Sequence, residues 1–123
     1  GPSIGEQIAT FKDLGLTDLE LRSVDGVNVL ALSDGQRRDV RSALRDAGLG
    51  VCCIGSPCGK KPIDTPRSEL LDMFKKALEQ ADFFGATLIR VFSFYPAGGE
   101  GKGPIEPVRG PAIELLRAQA ELL

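Results

Sequence analysis

The chain has 123 residues, 42% of them hydrophobic and 26% charged, with 15 Lys and Arg against 17 Asp and Glu. That length suits one small domain with a real core, and the net charge of −2 argues against a nucleic-acid binder, which usually carries a basic patch or stripe. The absence of histidine removes a Ser-His-Asp triad, a Cys-His pair and histidine metal ligation from this chain.

The first predicted element is a helix. Ser3 and Glu6 form a capping-box pattern, Ile4, Ile8 and Phe11 recur at helical spacing, and Gly15 suits a left-handed C-terminal stop. A short apolar strand follows through "LELRS", Leu19 to Ser23. Asp25-Gly26 then reads as a turn. Val27, Val29 and Leu30 after it read as apolar plugs, with Asn28 a weaker binding candidate.

The next helix opens on Ser33 and Gln36, again a capping box, carries Val40, Leu44 and Ala47, and ends at Gly48. "VCCIGS" is the second strand. Pro57 shapes the loop beyond it, where Lys60 and Lys61 sit. A third helix is predicted from Thr65 as N-cap, with Pro66 at the first helical position. It runs through Leu70, Phe74, Ala77 and Ala81 to Gly85. "LIRVFS" is the third strand.

The stretch from Ala97 to Pro111 is long and irregular, as in a lid over an active site. Its "GEGKG" invites a phosphate-loop reading but fails it: the spacing is wrong, and Gly103 stands where Ser or Thr is required. A last helix is predicted from near Pro111 through Ile113, Leu116 and Ala120. No apolar run approaches the ~18 residues of a membrane span, and no signal peptide is visible.

Three of these units repeat. Gly15, Gly48 and Gly85 each precede by eight residues a serine, Ser23, Ser56 or Ser93. Helices alternating with strands imply right-handed βαβ units and a parallel sheet. Three such strands leave two raw sheet edges. The chain is therefore expected to be one partial segment, 1–123, of a longer α/β protein, or a unit completed by a second chain.

The strand faces differ. Counting from each glycine, Leu19, Leu21, Cys52, Ile54, Ile89 and Val91 form an apolar face that should lie under helices. Glu20, Arg22, Cys53, Gly55, Arg90 and Phe92 form the opposite, mixed and charged face. One greasy face and one polar face suit a barrel with helices outside and a functional interior, where active sites form at the carboxyl ends of the strands. Glu20 and Arg90, at equivalent offsets, either neutralise each other or meet a ligand, since buried charges are normally paired. Arg22, one pleat nearer the strand end, is the stronger ligand candidate.

The three cysteines, Cys52, Cys53 and Cys58, are an odd number without a CxxC pattern. They fit a reducing, cytoplasmic setting. Cys52 is expected under the helices, Cys53 in the barrel, and Cys58 exposed and the most reactive.

"ELRSVDGVNVLALSD", "GSPCGKKPID" and "IRVFSFY" together resemble the sugar phosphate isomerase/epimerase family with the xylose isomerase-like TIM barrel. The resemblance implies an α/β fold of parallel (β/α) units, barrel strands two to four, within a protein of roughly 250 residues. It implies an isomerase or epimerase that moves a proton between adjacent sugar carbons through an enediolate-like intermediate. A divalent metal (Mn, Mg or Zn) serves as Lewis acid and carboxylates as base and acid. Those ligands and catalytic carboxylates are expected on later strands outside this segment, so no catalytic or metal residue is assigned here.

What this segment supplies on that reading is a substrate wall: Glu20, Arg22, Ser56, Lys60, Arg90 and Ser93. Arginines would hold a carboxylate or phosphate through charge-assisted forks, serines the sugar hydroxyls, and Lys60 a mobile cation over the mouth. The expected partner is a small sugar or sugar phosphate, without nucleic acid or membrane. The other half of the barrel or a second copy would cover the sheet edges, with a homodimer as one option.

Two other readings stand beside it. One is a related barrel lyase that dehydrates a keto-inositol. The other is a non-enzymatic sugar- or anion-binding protein. The endonuclease branch of the same barrel superfamily uses early histidine ligands, which this sequence lacks.

Overall fold

The computed structural model describes residues 1–98, 104 and 106–123. The elements in chain order are α1 (Ile4–Asp13), β1 (Asp18–Leu21), β2 (Ser23–Val24), β3 (Val27–Asn28), a short 3-10 helix (Val29–Ala31), α2 (Asp34–Asp46), β4 (Gly50–Ile54), α3 (Arg67–Phe84), β5 (Leu88–Ile89) and α4 (Glu106–Glu121). β1, β4 and β5 lie side by side in that order as a parallel sheet. The α/β alternation in the sequence is therefore a run of parallel (β/α) units.

Both capping boxes form. The Ser3 hydroxyl accepts from the Glu6 amide while Glu6 reaches back to the Ser3 amide at 2.7 Å. Ser33 and Gln36 repeat the exchange at the start of α2. Gly15, Gly48 and Gly85 all hold φ near +70°, the left-handed stop that the repeat pattern implied. Asp25 and Gly26, with φ of 53° and 76°, close the two-residue hairpin between β2 and β3. Positive φ at both central residues matches the right-handed twist of the flanking strands.

The sheet is one-sided. Leu19, Leu21, Val51 and Ile54 are buried and pack with Val40 and Leu44 of α2 and Ala81 of α3, while Ile4, Ile8 and Phe11 of α1 close over the same cluster. The other face carries Glu20 and Arg22, both exposed, and Cys53 and Arg90, both half-buried.

Four expectations are corrected. Cys52 is exposed, and Val51 takes its place under the helices. The β1–β4 register slips here: Leu19 faces Val51, whereas Glu20 faces Cys53, so Cys52 is the extra residue of a bulge, and a bulge breaks the alternation of side chains. Val91 is 37% exposed, since it lines a groove of about 460 Å³ between α3, β5 and α4 that stays open to solvent.

Helix α3 starts one residue later than its proline suggests: Pro66 is the cap, with ψ of 130°, and no side chain caps the helix. The Thr65 amide instead donates to the Pro62 carbonyl, which places Thr65 in the preceding turn. Helix α4 starts at Glu106, so Pro111 lies inside it. The lost hydrogen bond falls on a first-turn carbonyl four residues back, and Val108, Ala112 and Leu115 bury against Leu70 and Phe94. Packing outweighs the local stop signal.

Candidate functional site

The carboxyl ends of the three parallel strands bring one charged ridge together. Glu20 and Arg90, 70 residues apart in sequence, form an ion pair through Oε1 and Nη1. β4 lies between their strands, so both side chains reach across it. Gly55, just past the end of β4, allows this. A Cβ there would lie 2.7 Å from Glu20 Oε1 and 3.1 Å from Arg22 Cβ. Glu20, Gly55 and Arg22 are thus immediate neighbours.

Beyond β5 the chain runs alongside the segment that follows β4, with Phe94 in the left-handed region at φ of 71°. Phe92 N–H donates to the Cys58 carbonyl at 2.7 Å, Phe94 N–H to Gly59 at 3.0 Å and Tyr95 N–H to Lys61 at 2.9 Å. The approach is so close that a Cβ on Gly59 would lie 1.9 Å from the Phe92 carbonyl oxygen, and Gly59 also holds φ of 88°. This clamp sets Phe92 beside two cations. The Arg90 guanidinium lies 5.2 Å and the Lys60 ammonium 4.7 Å from its ring centroid, within the range of cation–π attraction.

Each sequence-level candidate can now be placed. Glu20 joins Arg90 by the ion pair, Arg90 and Lys60 both lie against Phe92, and Arg22 adjoins Gly55. Arg22 is exposed, and its guanidinium has no hydrogen-bond or ion-pair partner among the described residues. Lys61 turns away, with Nζ 3.6 Å from Glu69 on α3, whereas Lys60 has no acidic partner among the described residues.

Ser56 is fully buried. Its hydroxyl donates to the Arg90 carbonyl and accepts from the Cys58 amide, so it ties the end of β4 to the chain that carries Arg90. Ser93 is exposed but lines a separate groove of about 470 Å³ with Phe94, Val108, Arg109 and Ile113. Asn28, the weaker candidate, accepts from the Leu30 amide and caps the short 3-10 helix. Of residues 97–111, read as an irregular lid, 99–103 and 105 lie outside the described residues, while 106–111 form the start of α4 rather than an irregular stretch.

Sequence reasoning put Phe92 on this face but gave it no role. The available signal was its spacing of two from Arg90, which places both side chains on the same side of an extended chain. Gly59 carried no such signal, because its constraint comes from a backbone 33 residues away.

Cys58 is buried rather than exposed, packed with Phe74 and Ala77. Burial pushes its thiol pKa up. The Cys53 thiol, on the ridge face, is pushed up by desolvation and then by the Glu20 charge.

A divalent metal does not fit here. The chain has no histidine, Glu20 is engaged by Arg90, and among the described residues no three His, Cys, Asp or Glu side chains are grouped to hold an ion.

Helices on one face of the sheet and charged side chains on the other, at the strand ends, match part of a parallel β/α barrel. Comparison with solved structures bears this out. The chain is similar over 94% of its length to a xylose isomerase-like TIM barrel protein from Mycobacterium smegmatis crystallised with magnesium, at 22% identity and a TM-score of 0.66. D-Psicose 3-epimerase from Clostridium cellulolyticum H10, crystallised with D-tagatose, matches 94% of the chain at 15% identity and a TM-score of 0.66. A 3-keto-D-glucoside 4-epimerase from E. coli matches 96% at 21% identity and a TM-score of 0.58.

The chain spans 41%, 41% and 46% of those three proteins. No protein-family model and no curated protein matches it. Its fold is that of a segment of a xylose isomerase-like TIM barrel, as the sequence resemblance implied. Among the described residues, no helix is long and apolar enough to cross a membrane.

Proposed function

We propose that the chain is the N-terminal part, barrel strands two to four, of a sugar or sugar-phosphate isomerase or epimerase, and that it supplies the substrate-binding wall. The observation that carries this reading is the Glu20–Arg90 pair, flanked by Phe92 and Lys60, at the carboxyl ends of parallel strands on the face opposite the helices. The solved structures of like fold include epimerases named for sugar substrates, which supports the reaction class.

On this reading, Glu20 and Arg90 orient sugar hydroxyls: the carboxylate accepts, and the guanidinium donates from those N–H groups that Glu20 leaves free. Phe92 offers an apolar surface to the sugar's C–H groups. Arg22, Lys60 and Ser93 border the space around the ridge, and Ser56 fixes its shape from beneath. The acid and base that move the proton, and any divalent metal, belong to residues beyond those described, so no chemical step is assigned to this chain. The free thiols fit a reducing, cytoplasmic setting.

The test is epimerisation or isomerisation of ketoses by the full-length protein, followed by NMR. Turnover that falls in Arg90→Met mainly through a raised KM supports the wall. Loss of water from a keto-inositol without epimerisation would mark the protein as a lyase. Sugar binding without turnover would mark it as a binding protein.

A further inference from the structure

The charge along the ridge is uneven. Glu20 and Arg90 cancel each other, and Lys61 is held by Glu69. What remains uncompensated among the described residues is Arg22 at one end and Lys60 at the other, both exposed. The chain as a whole is acidic, with a net charge of −2, so a local surplus of two positive charges at the strand ends runs against the average. Both cations have defined neighbours. Arg22 follows β1 beside Gly55, and its carbonyl accepts from the Val29 amide at 2.9 Å. Lys60 sits over Phe92, next to the Gly59 clamp.

We propose that this ridge selects an anionic sugar derivative, carrying a carboxylate or a phosphate monoester, over a neutral sugar, and that Arg22 and Lys60 are its specificity-determining residues. Arg90, the cation that sequence reasoning paired with Arg22 for this task, is a positioning residue instead: Glu20 neutralises it, and it holds Phe92 and the sugar-facing surface in place. A field set by fixed cations attracts an anion before contact, and a charge-assisted hydrogen bond then discriminates more strongly than a neutral one. This inference rests on the substrate-wall reading and narrows it to a substrate class.

The experiment uses the full-length protein and three probes in competition calorimetry: D-fructose, D-fructose 6-phosphate and D-gluconate. Either or both anions should bind about tenfold or more tightly than D-fructose at low salt, as expected for a charge-assisted bond, with the advantage shrinking as salt rises. The phosphate and gluconate arms separate the two anion chemistries. Arg22→Met and Lys60→Met should each shrink that preference, the anionic probes losing more affinity than D-fructose, whereas Arg90→Met should weaken all three probes alike.

Equal binding of neutral and anionic probes by the unmodified protein, at any salt, overturns the inference and needs no variant that must fold. Turnover of neutral ketoses without anion preference removes this inference and keeps the proposed reaction. Anion preference without turnover of any ketose does the reverse.

Discussion

At the residue scale, the three thiols differ by burial and by charge. Cys52 stands exposed on a bulge, Cys53 is half-buried beside Glu20, and Cys58 is packed against Phe74. The thiolate is the reactive form, so a thiol whose pKa is raised reacts slowly near neutral pH. Iodoacetamide on the native chain, read by peptide mass spectrometry, should therefore modify Cys52 first, Cys53 more slowly and Cys58 last. Fast labelling of Cys58 would contradict its packing. Glu6 makes a second residue-level prediction. Its hydrogen bonds to Ser3 lower its pKa below the ordinary 4.5. A depressed folded-state pKa gives stability that is present above the unfolded value and lost as pH falls through the folded one. The first turn of α1 should hence fray only below about pH 4.5, seen as lower amide protection relative to the intrinsic exchange rate there, and Glu6→Gln should remove that pH dependence.

At the element scale, two glycines bear unequal loads. Gly85 ends α3 with φ of 71° and nothing within 4 Å of a virtual Cβ. Gly85→Ala therefore meets only the left-handed backbone cost, about 1 kcal/mol. Gly59 carries the same kind of φ and also meets the Phe92 backbone. Gly59→Ala must push two chain segments apart, so its cost in urea melts should exceed that of Gly85→Ala, and the ridge should lose its preference among sugars. The Glu20–Arg90 pair is about one-third exposed on both sides. Solvent screening keeps its stability contribution under about 1 kcal/mol, so Arg90→Met should leave the melting midpoint nearly unchanged while weakening sugar binding. A large loss of stability would make the pair architectural first. The α2 cap is the ordinary case: Ser33→Ala should cost about 1 kcal/mol.

At the scale of the whole molecule, one side of the sheet is finished and its β5 edge is not. α1, α2 and α3 cover the apolar face, but Leu88, Val91 and Leu123 stand in the open groove between α3, β5 and α4. Exposed contiguous apolar surface is unusual for a lone monomer. The isolated chain should accordingly bind the dye ANS in native buffer, and Leu88→Glu should reduce that binding without lowering helix content. On the proposed function, the isolated chain should show no ketose turnover under conditions where a full-length protein is active. Turnover by the chain alone would refute the division of labour between substrate wall and later strands.

The local grammar of the fold was legible in the sequence. Capping boxes, left-handed glycines, the Asp25-Gly26 hairpin and the two-faced strands each follow from contacts within a few residues, where one stretch of chain contains its own physical cause. The opposition of Glu20 and Arg90 could be read from equal offsets in repeated units, because parallel strands with like connections align like positions. Tertiary structure alone decided the rest. The bulge that exposes Cys52, the burial of Cys58, the proline enclosed in α4 and the close approach at Gly59 all depend on which distant surface arrives opposite. So does the division of the strand-end cations among the described residues, where Arg90 and Lys61 are paired with carboxylates and the Arg22 and Lys60 side chains are not. Charge is written in the sequence residue by residue, but whether it is compensated depends on distance in space, and only folding sets that distance.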